Sequence, residues 1–270
     1  MLVLISMISV GMSTTCVYPL DTEQSFRLAS VAGFDGVELM VTSDPATRSI
    51  DAILALAARY DLPVLSVHAP VLLMSQLAWG RDARVKLEKS AQLARALGAP
   101  TVVSHPPFRW QRRLAAEFVA VVGEIAESTG IQIAVENMFP WRIAGRGLNV
   151  YAPSWDPSLD AYDAMTLDFS HASLSGRDSL ELARAMGARL RHVHLCDGSG
   201  RAGGFLDEHL IPGRGAEPVA EMLALLASSG FHGSLIAEIN TRRSPSEADR
   251  LARLRETVAF ARRHLTSIAG

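Results

Sequence analysis

The sequence predicts a (β/α)8 barrel in a single α/β domain, on three observations. Short β-rich runs alternate with longer amphipathic stretches almost from end to end, the pattern of βαβ units around a parallel sheet. The 270 residues hold eight such units, close to the ~250 residues typical of that barrel. No Pro/Gly/Ser-rich linker or charge run divides the chain, so one TIM-barrel domain over residues 1–270 is expected. A doubly wound open sheet is the competing architecture.

The elements follow in order. LVLIS (2–6) reads as the first strand. The opening MLVLISMISVGMSTT is apolar but has no Lys or Arg ahead of its hydrophobic run and no A-x-A pattern, so a buried strand is expected rather than a signal peptide. DTEQSFRLASVAGF reads as a helix with Asp21 as N-cap and Gln24 as its capping-box partner. The next strands are GVELM (36–40) and PVLSVH (63–68). RDARVKLEKSAQLARALGA (81–99) and RRLAAEFVAVVGEIAESTG (112–130) are amphipathic at three- and four-residue intervals. Between and after them come the strands TVVSH (101–105), IQIAVE (131–136), MTLDF (165–169), LRHVHL (190–195) and SLIAEI (234–239). Gly33, Gly98, Gly130, Gly187 and Gly230 close helical stretches as C-caps do. FPWRIAGRGLNVYAPSWDPSLDAY (139–162) is the one long irregular piece, rich in aromatics and prolines, and reads as a long loop or lid over the C-terminal face.

A hydrophobic fraction of 49%, a charged fraction of 20% and a net charge of -2 are ordinary for a globular chain. They give no general pull toward nucleic acid or an anionic membrane. No apolar run approaches the ~18–20 residues of a membrane helix, so no membrane partner is expected. Cys16 and Cys196 make no disulfide framework, which favours a cytoplasmic location. A homo-oligomer is compatible with this composition.

The polar residues mark the strand ends. The third strand ends in His68, the fourth in His105 and the fifth in Glu136. The sixth reaches Asp168, with His171 three residues on; the seventh has His194 and the eighth Glu238. In a barrel all those ends open on one face, where barrel enzymes hold their active sites. Asp207 and His209 follow the seventh strand and can fold back over the same mouth. Taken singly, each has a plain explanation: His68 or His105 bonding a loop, Asp168 capping a turn, a glutamate meeting an arginine. Together, carboxylates finishing apolar strands such as IQIAVE and SLIAEI have no packing reason, and carboxylates converging with imidazoles are what a divalent metal needs. His192 shares the parity of His194 and reads as a core or supporting group one layer deeper. Cys196 reads as buried, Glu38 as facing the cleft or pairing with an arginine, and His232 and His264 as surface residues.

The segments VENM, LDFSH, HVHLCDG and DEHLIPGRG, with SVHAP at His68 and AEIN at Glu238, resemble the xylose-isomerase-like barrels over nearly the whole chain. That superfamily includes sugar-phosphate isomerases and epimerases and endonuclease IV. In the tagatose- and psicose-type epimerases one metal is held by Glu, Asp, His and Glu. The resemblance carries those roles to Glu136, Asp168, His194 and Glu238, with His171 on the substrate side. In endonuclease IV a trinuclear zinc cluster takes further ligands, which correspond to His68, His105, His171, Asp207 and His209. The chain departs from endonuclease IV at Glu208, where that enzyme has an arginine, and at Val71, where it has an aromatic.

The resemblance implies a divalent-metal-dependent isomerase or epimerase working on a small polyhydroxylated substrate, a sugar or sugar phosphate, through an enediolate. Glu136 and Glu238 would exchange protons with the two faces of the reacting carbon, and His171 would orient a hydroxyl. Arg142 and Arg146 in the long loop would meet a phosphate. The alternatives are a zinc phosphodiesterase acting on abasic DNA and a metal-dependent lyase. Mn, Mg or Co suits the four-ligand set with one ion; Zn suits two or three ions and the histidine-rich set.

Overall fold

A computed structural model describes residues 8–70, 78–143, 146–200 and 207–266. Eight parallel strands close a barrel. They are β1 (Val10–Ser13), β2 (Gly36–Met40), β3 (Val64–His68), β4 (Thr101–Ser104), β5 (Gln132–Glu136), β8 (Ala164–Asp168), β9 (Leu190–Leu195) and β10 (Ser234–Ala237). The ring runs β1-β10-β9-β8-β5-β4-β3-β2. The expected strand at 2–6 lies outside the described residues, and the first described barrel strand is Val10–Ser13. The expected strands at 36–40 and 190–195 match the observed bounds, and the others differ by a residue or two at their ends, which leaves His105 and Glu238 just beyond β4 and β10.

Helices α1 (Thr22–Ala32), α2 (Ile50–Tyr60), α3 (Ala83–Leu97), α4 (Arg112–Thr129), α5 (Phe169–Ser175), α6 (Ser179–Met186), α7 (Val219–Ser228) and α8 (Glu247–Thr266) complete the chain. The Asp21/Gln24 capping box opens α1 as expected, and Gly33, Gly98 and Gly130 take the left-handed conformation that ends α1, α3 and α4. The main core lies between barrel and helices, with Phe26, Leu28, Val67, Val102, Val193 and Leu235 all buried. Among the described residues no helix is long and apolar enough to cross a membrane.

Two irregularities in the ladder bear on the barrel interior. The register slips between β2 and β3, so that Val37 faces Val64 but Glu38 faces Ser66. It slips again between β8 and β9, where Met165 faces Leu190 but Thr166 faces His192. Bulges of this kind re-aim side chains, and here they precede Ser66, His68, His192 and His194. The skipped residues need room. A Cβ on Gly36 would lie 2.7 Å from Leu65 Cγ, and one on Gly233 would lie 2.0 Å from the Arg191 carbonyl oxygen.

Residues 139–162 are less irregular than expected. They contain a two-stranded antiparallel ribbon, β6 (Trp141–Ile143) with β7 (Arg146–Leu148), and a short 3-10 turn at Pro157–Leu159. Val150 and Tyr151 pack with Phe108 and Met138 in a satellite core that Trp141 and Trp155 cover. The aromatic residues therefore fasten this segment to the loop after β4, where Phe108 and Tyr151 also form a β-bridge.

Candidate metal centre

Glu136 ends β5, fully buried, at the middle of the polar cluster. Its Oε1 lies 2.8 Å from His194 Nδ1 and 3.3 Å from His171 Nδ1; its Oε2 lies 2.9 Å from His105 Nε2 and 3.4 Å from His68 Nε2. Oε2 is buried and makes no hydrogen bond among the described residues. Its two imidazole neighbours thus crowd an oxygen that bonds to neither, as lone pairs aimed at a common point do. Glu238 joins from the end of β10, with Oε2 3.0 Å from His194 Nδ1 and Oε1 accepting from Thr15 Oγ1 at 3.2 Å.

The ring nitrogens are sorted by what holds them. His68 Nδ1 donates to the Ala69 carbonyl at 2.9 Å, His171 Nδ1 to the Asn137 carbonyl at 2.9 Å and His209 Nδ1 to the Glu238 carbonyl at 2.7 Å. A carbonyl can only accept, so in each neutral ring Nε2 is left with its lone pair. Those Nε2 atoms face carboxylates: His68 toward Glu136, and His171 and His209 toward Asp207 Oδ2 at 2.8 and 2.5 Å. His194 is held the other way round, its Nε2 3.1 Å from Glu38 Oε1, which turns Nδ1 to Glu136 and Glu238. Metal-binding histidines are held in this manner, one nitrogen tied to an acceptor and the other free to ligate.

Among the described residues five groups have donor atoms within 4.8 Å of one another, and three of them hold the expected ligands alone: Glu136, Asp168, His194 and Glu238; His68, His105 and Glu136; and His171, Asp207 and His209. The nine residues expected as ligands are therefore brought together, with Glu136 common to two groups. Asp168 is positioned by its own turn. Its Oδ1 accepts from the His171 backbone N–H at 2.7 Å, capping α5, and Asn137 Oδ1 accepts from the Asp168 backbone N–H at 2.7 Å. Ser170 Oγ holds Asp207 Oδ1.

Charge is shared unequally. Burial alone would lower His194, but the Glu238, Glu136 and Glu38 carboxylates hold it well above the usual histidine value. His171, beside Asp168 and Asp207, and His209, beside Asp207, are likewise held well above it against burial. Burial would raise Glu136 and Glu38; the surrounding imidazoles, His194 foremost, bring both well below the carboxylate range. Against the same burial penalty, His194 brings Glu238 down to about 2. Burial prevails at His105, which is lowered, and at Asp168, which is raised.

The outer residues fall less uniformly. His192 points inward one layer deeper, as expected, 3.0 Å from Glu38 Oε2 and 3.2 Å from Ser66 Oγ. Glu38, expected to face the cleft or pair with an arginine, faces the interior and pairs with His192, His194 and Ser66. Its strand-end position was the available signal, but its partners lie across the barrel on β9. Cys196 is buried, 3.6 Å from Asp168 Oδ2, and burial pushes its thiol up to about 12. Arg142 lies on β6, and Arg146 is exposed on β7. His232 is exposed, while His264 is half-buried and packs on Phe260.

Residues 26–264 match the family model described as xylose isomerase-like TIM barrel. An uncharacterized protein of Mycobacterium tuberculosis, Rv0498, is 46% identical over 277 aligned positions, covering 96% of this chain and 98% of that protein. Fructoselysine 3-epimerase of Escherichia coli O157:H7 is 24% identical over 255 positions, covering 86% and 90%. Among solved structures, a D-tagatose 3-epimerase-like protein superposes with a TM-score of 0.73 at 22% identity, covering 97% of this chain and all of that one.

Proposed function

The chain belongs to the xylose isomerase-like TIM barrel family, and from that premise we propose that it is a divalent-metal-dependent isomerase or epimerase of a small polyhydroxylated ketone or its phosphate. The observation that carries this reading is the sorting of ring nitrogens around Glu136. Four histidines each have one nitrogen tied to a carbonyl or carboxylate and the other turned toward the acidic cluster. Glu136, Asp168, His194 and Glu238 would hold one ion, a set whose oxygen-rich chemistry suits Mn, Mg or Co. A divalent ion bound there would polarise a carbonyl and its neighbouring hydroxyl, lowering the pKa of the C–H between them.

The chain's own residues would move the proton. Glu238, which His194 holds low at about 2, is partly open, its side chain 13% exposed against 1% for Glu136. It is thus suited to take a proton from the outer face of a bound substrate, with Glu136 serving the opposite face. Thr15 Oγ1, donating to Glu238 Oε1, leaves Oε2 turned toward the cluster. His171, fixed by Asn137 and α5, would orient a substrate hydroxyl, and Phe139, 5.2 Å from the His171 ring, would help keep water from it.

The test is chromatographic separation of epimers after incubating a panel of ketoses and ketose phosphates with protein of measured metal content. Conversion of at least one ketose supports the reading; no new sugar from any counts against it.

A second reading rests on a specific observation. The two outer groups, His68, His105 and Glu136, and His171, Asp207 and His209, are complete triads that suit zinc. A zinc phosphodiesterase acting on abasic DNA would use all three groups, and incision of an abasic-site duplex tests it.

A further inference from the structure

Beside the metal cluster the barrel mouth opens into a groove of about 710 Å³, lined at its inner end by Glu238 and His209 and at its outer end by Tyr18 and Arg242. That volume lies within the ~300–1,000 Å³ that accommodates drug-sized ligands. The groove runs between the turn after β1 and the loop after β2, and Thr14, Thr15 and Thr42 give it a hydroxyl-rich wall.

The charged side chains along the groove differ in what already occupies them. Asp44 is occupied: Oδ1 accepts from the Ala46 backbone N–H at 3.0 Å and Oδ2 from Thr22 Oγ1 at 2.8 Å. Asp21 is committed to the capping box of α1. Glu238 belongs to the metal cluster. Arg242 is different. It is exposed, its guanidinium carbon lies 5.3 Å from the centroid of the Tyr18 ring, and among the described residues it makes no ion pair. A guanidinium laid on an aromatic face is oriented by it while its N–H donors stay free in the plane. Those donors match carboxylate or phosphate oxygens, which they can engage in pairs.

We infer that the substrate has two parts: a polyhydroxylated carbonyl head at the metal cluster, and a tail ending in an oxyanion that Arg242, stacked on Tyr18, receives at the far end of the groove. The inference rests on the isomerase reading only for the head; the tail subsite stands on the groove itself. Arg242 and Tyr18 are then specificity residues. They discriminate by binding rather than by chemistry, so their effect falls on KM more than on kcat.

Calorimetric titration of the metal-loaded protein tests this with three probes: D-fructose, D-fructose 6-phosphate, and a ketose carrying a terminal carboxylate on a short aliphatic spacer. An anionic probe is expected to bind about 10-fold or more tighter than fructose, as a charge-assisted pair supplies. Which of the two does so distinguishes phosphate from carboxylate. In Arg242→Gln that advantage is expected to collapse to near parity, while Arg243→Gln, at an exposed neighbour outside the groove lining, retains it. Equal binding of all three probes overturns the inference, as does an advantage that survives in Arg242→Gln, which would put the anion at the metal. Deuterium uptake from D2O into all three probes and a wider panel of ketoses is scored in parallel. Uptake without anion preference removes this inference alone; Arg242-dependent preference without uptake sustains it and removes the isomerase reading.

Discussion

Glu38 Oε1 lies 3.1 Å from His194 Nε2, both side chains fully buried. Since the opposite ring nitrogen of His194 faces Glu136, Asp168 and Glu238 at 2.8, 3.6 and 3.0 Å, this one contact determines which lone pair the imidazole offers to an ion. Glu38 itself is braced by Ser66 Oγ at 2.8 Å and His192 Nε2 at 3.0 Å. A fully buried residue thus holds the ring of His194, a candidate ligand at the barrel mouth.

Removing that brace should weaken the ion rather than unfold the chain. Glu38→Ala is expected to lower metal affinity about 10–100-fold, the range seen when the partner of a ligating histidine is lost. Glu38→Gln, which keeps an acceptor oxygen, should recover part of it. Competition against a chromophoric chelator reads both. Unchanged affinity in Glu38→Ala would mean that His194 is oriented by packing alone.

The same cluster should make stability depend on metal. Carboxylates and imidazoles crowded within 4.8 Å are a natural partner for a cation that binds only the folded chain. At 100 times its Kd such an ion stabilises by ~2.7 kcal/mol. For a chain of this size that corresponds to a rise in Tm of about 5–10 °C. Calorimetric melts with chelator and with added Mn or Zn check it; superimposable melts would deny a site coupled to folding.

Without metal, pH should act with a definite sign. His171, His194 and His209 are held well above 6.5 in the folded chain. Their contribution to stability is complete below about pH 6.5 and is lost as pH rises through the raised values. Glu38, Glu136 and Asp207 are held well below their ordinary values of 4.5, 4.5 and 3.8, so their contribution is present above those values and disappears as pH falls through the lowered ones. Chelator-treated protein is therefore expected to melt lower at about pH 9 than at about pH 6.5. Metal-loaded protein, whose imidazoles are already deprotonated to ligate, should show a flatter or reversed trend. Parallel melts across that range settle the sign.

A separate device shapes the loop that carries Asp207 and His209. Asp197, fully buried after β9, accepts backbone N–H bonds from Gly198, Gly213, Gly215 and Glu217 at 2.8–3.1 Å. Gly215 approaches so closely that a Cβ there would lie 2.2 Å from Asp197 Oδ1. Asp197→Ala leaves those donors without their acceptor and should cost about 3–5 kcal/mol in a denaturant melt. A loss under about 1 kcal/mol would show that the loop is held by other contacts.

Much of this was legible in the sequence. Period-2 and period-3.6 runs located the elements, and the strands carrying His68, Glu136, Asp168 and His194 lie within a residue or two of their expected bounds. Local chemistry was legible too: Asp21 and Gln24 form the capping box because both bonds lie within four residues. What escaped depends on contacts across the barrel. Glu38 meets histidines more than 150 residues away in the chain, and its strand could equally have turned it toward an arginine. The bulges beside Leu65 and Arg191, which adjust strand register, leave no compositional mark. Residues 139–162 looked structureless because their ribbon is short and their anchors, such as Phe108, lie outside the segment.

The most direct measurement is deuterium uptake, followed by NMR, at the carbon beside the carbonyl of a ketose in D2O, using protein of known metal content. Uptake should be present in the loaded protein, vanish on chelation, return on adding the ion, and fall by at least about 100-fold in Glu238→Gln, as loss of a general base requires. Uptake that continues at full rate in the stripped protein, or is absent for every ketose in the loaded one, would contradict a metal-dependent proton transfer at Glu136 and Glu238.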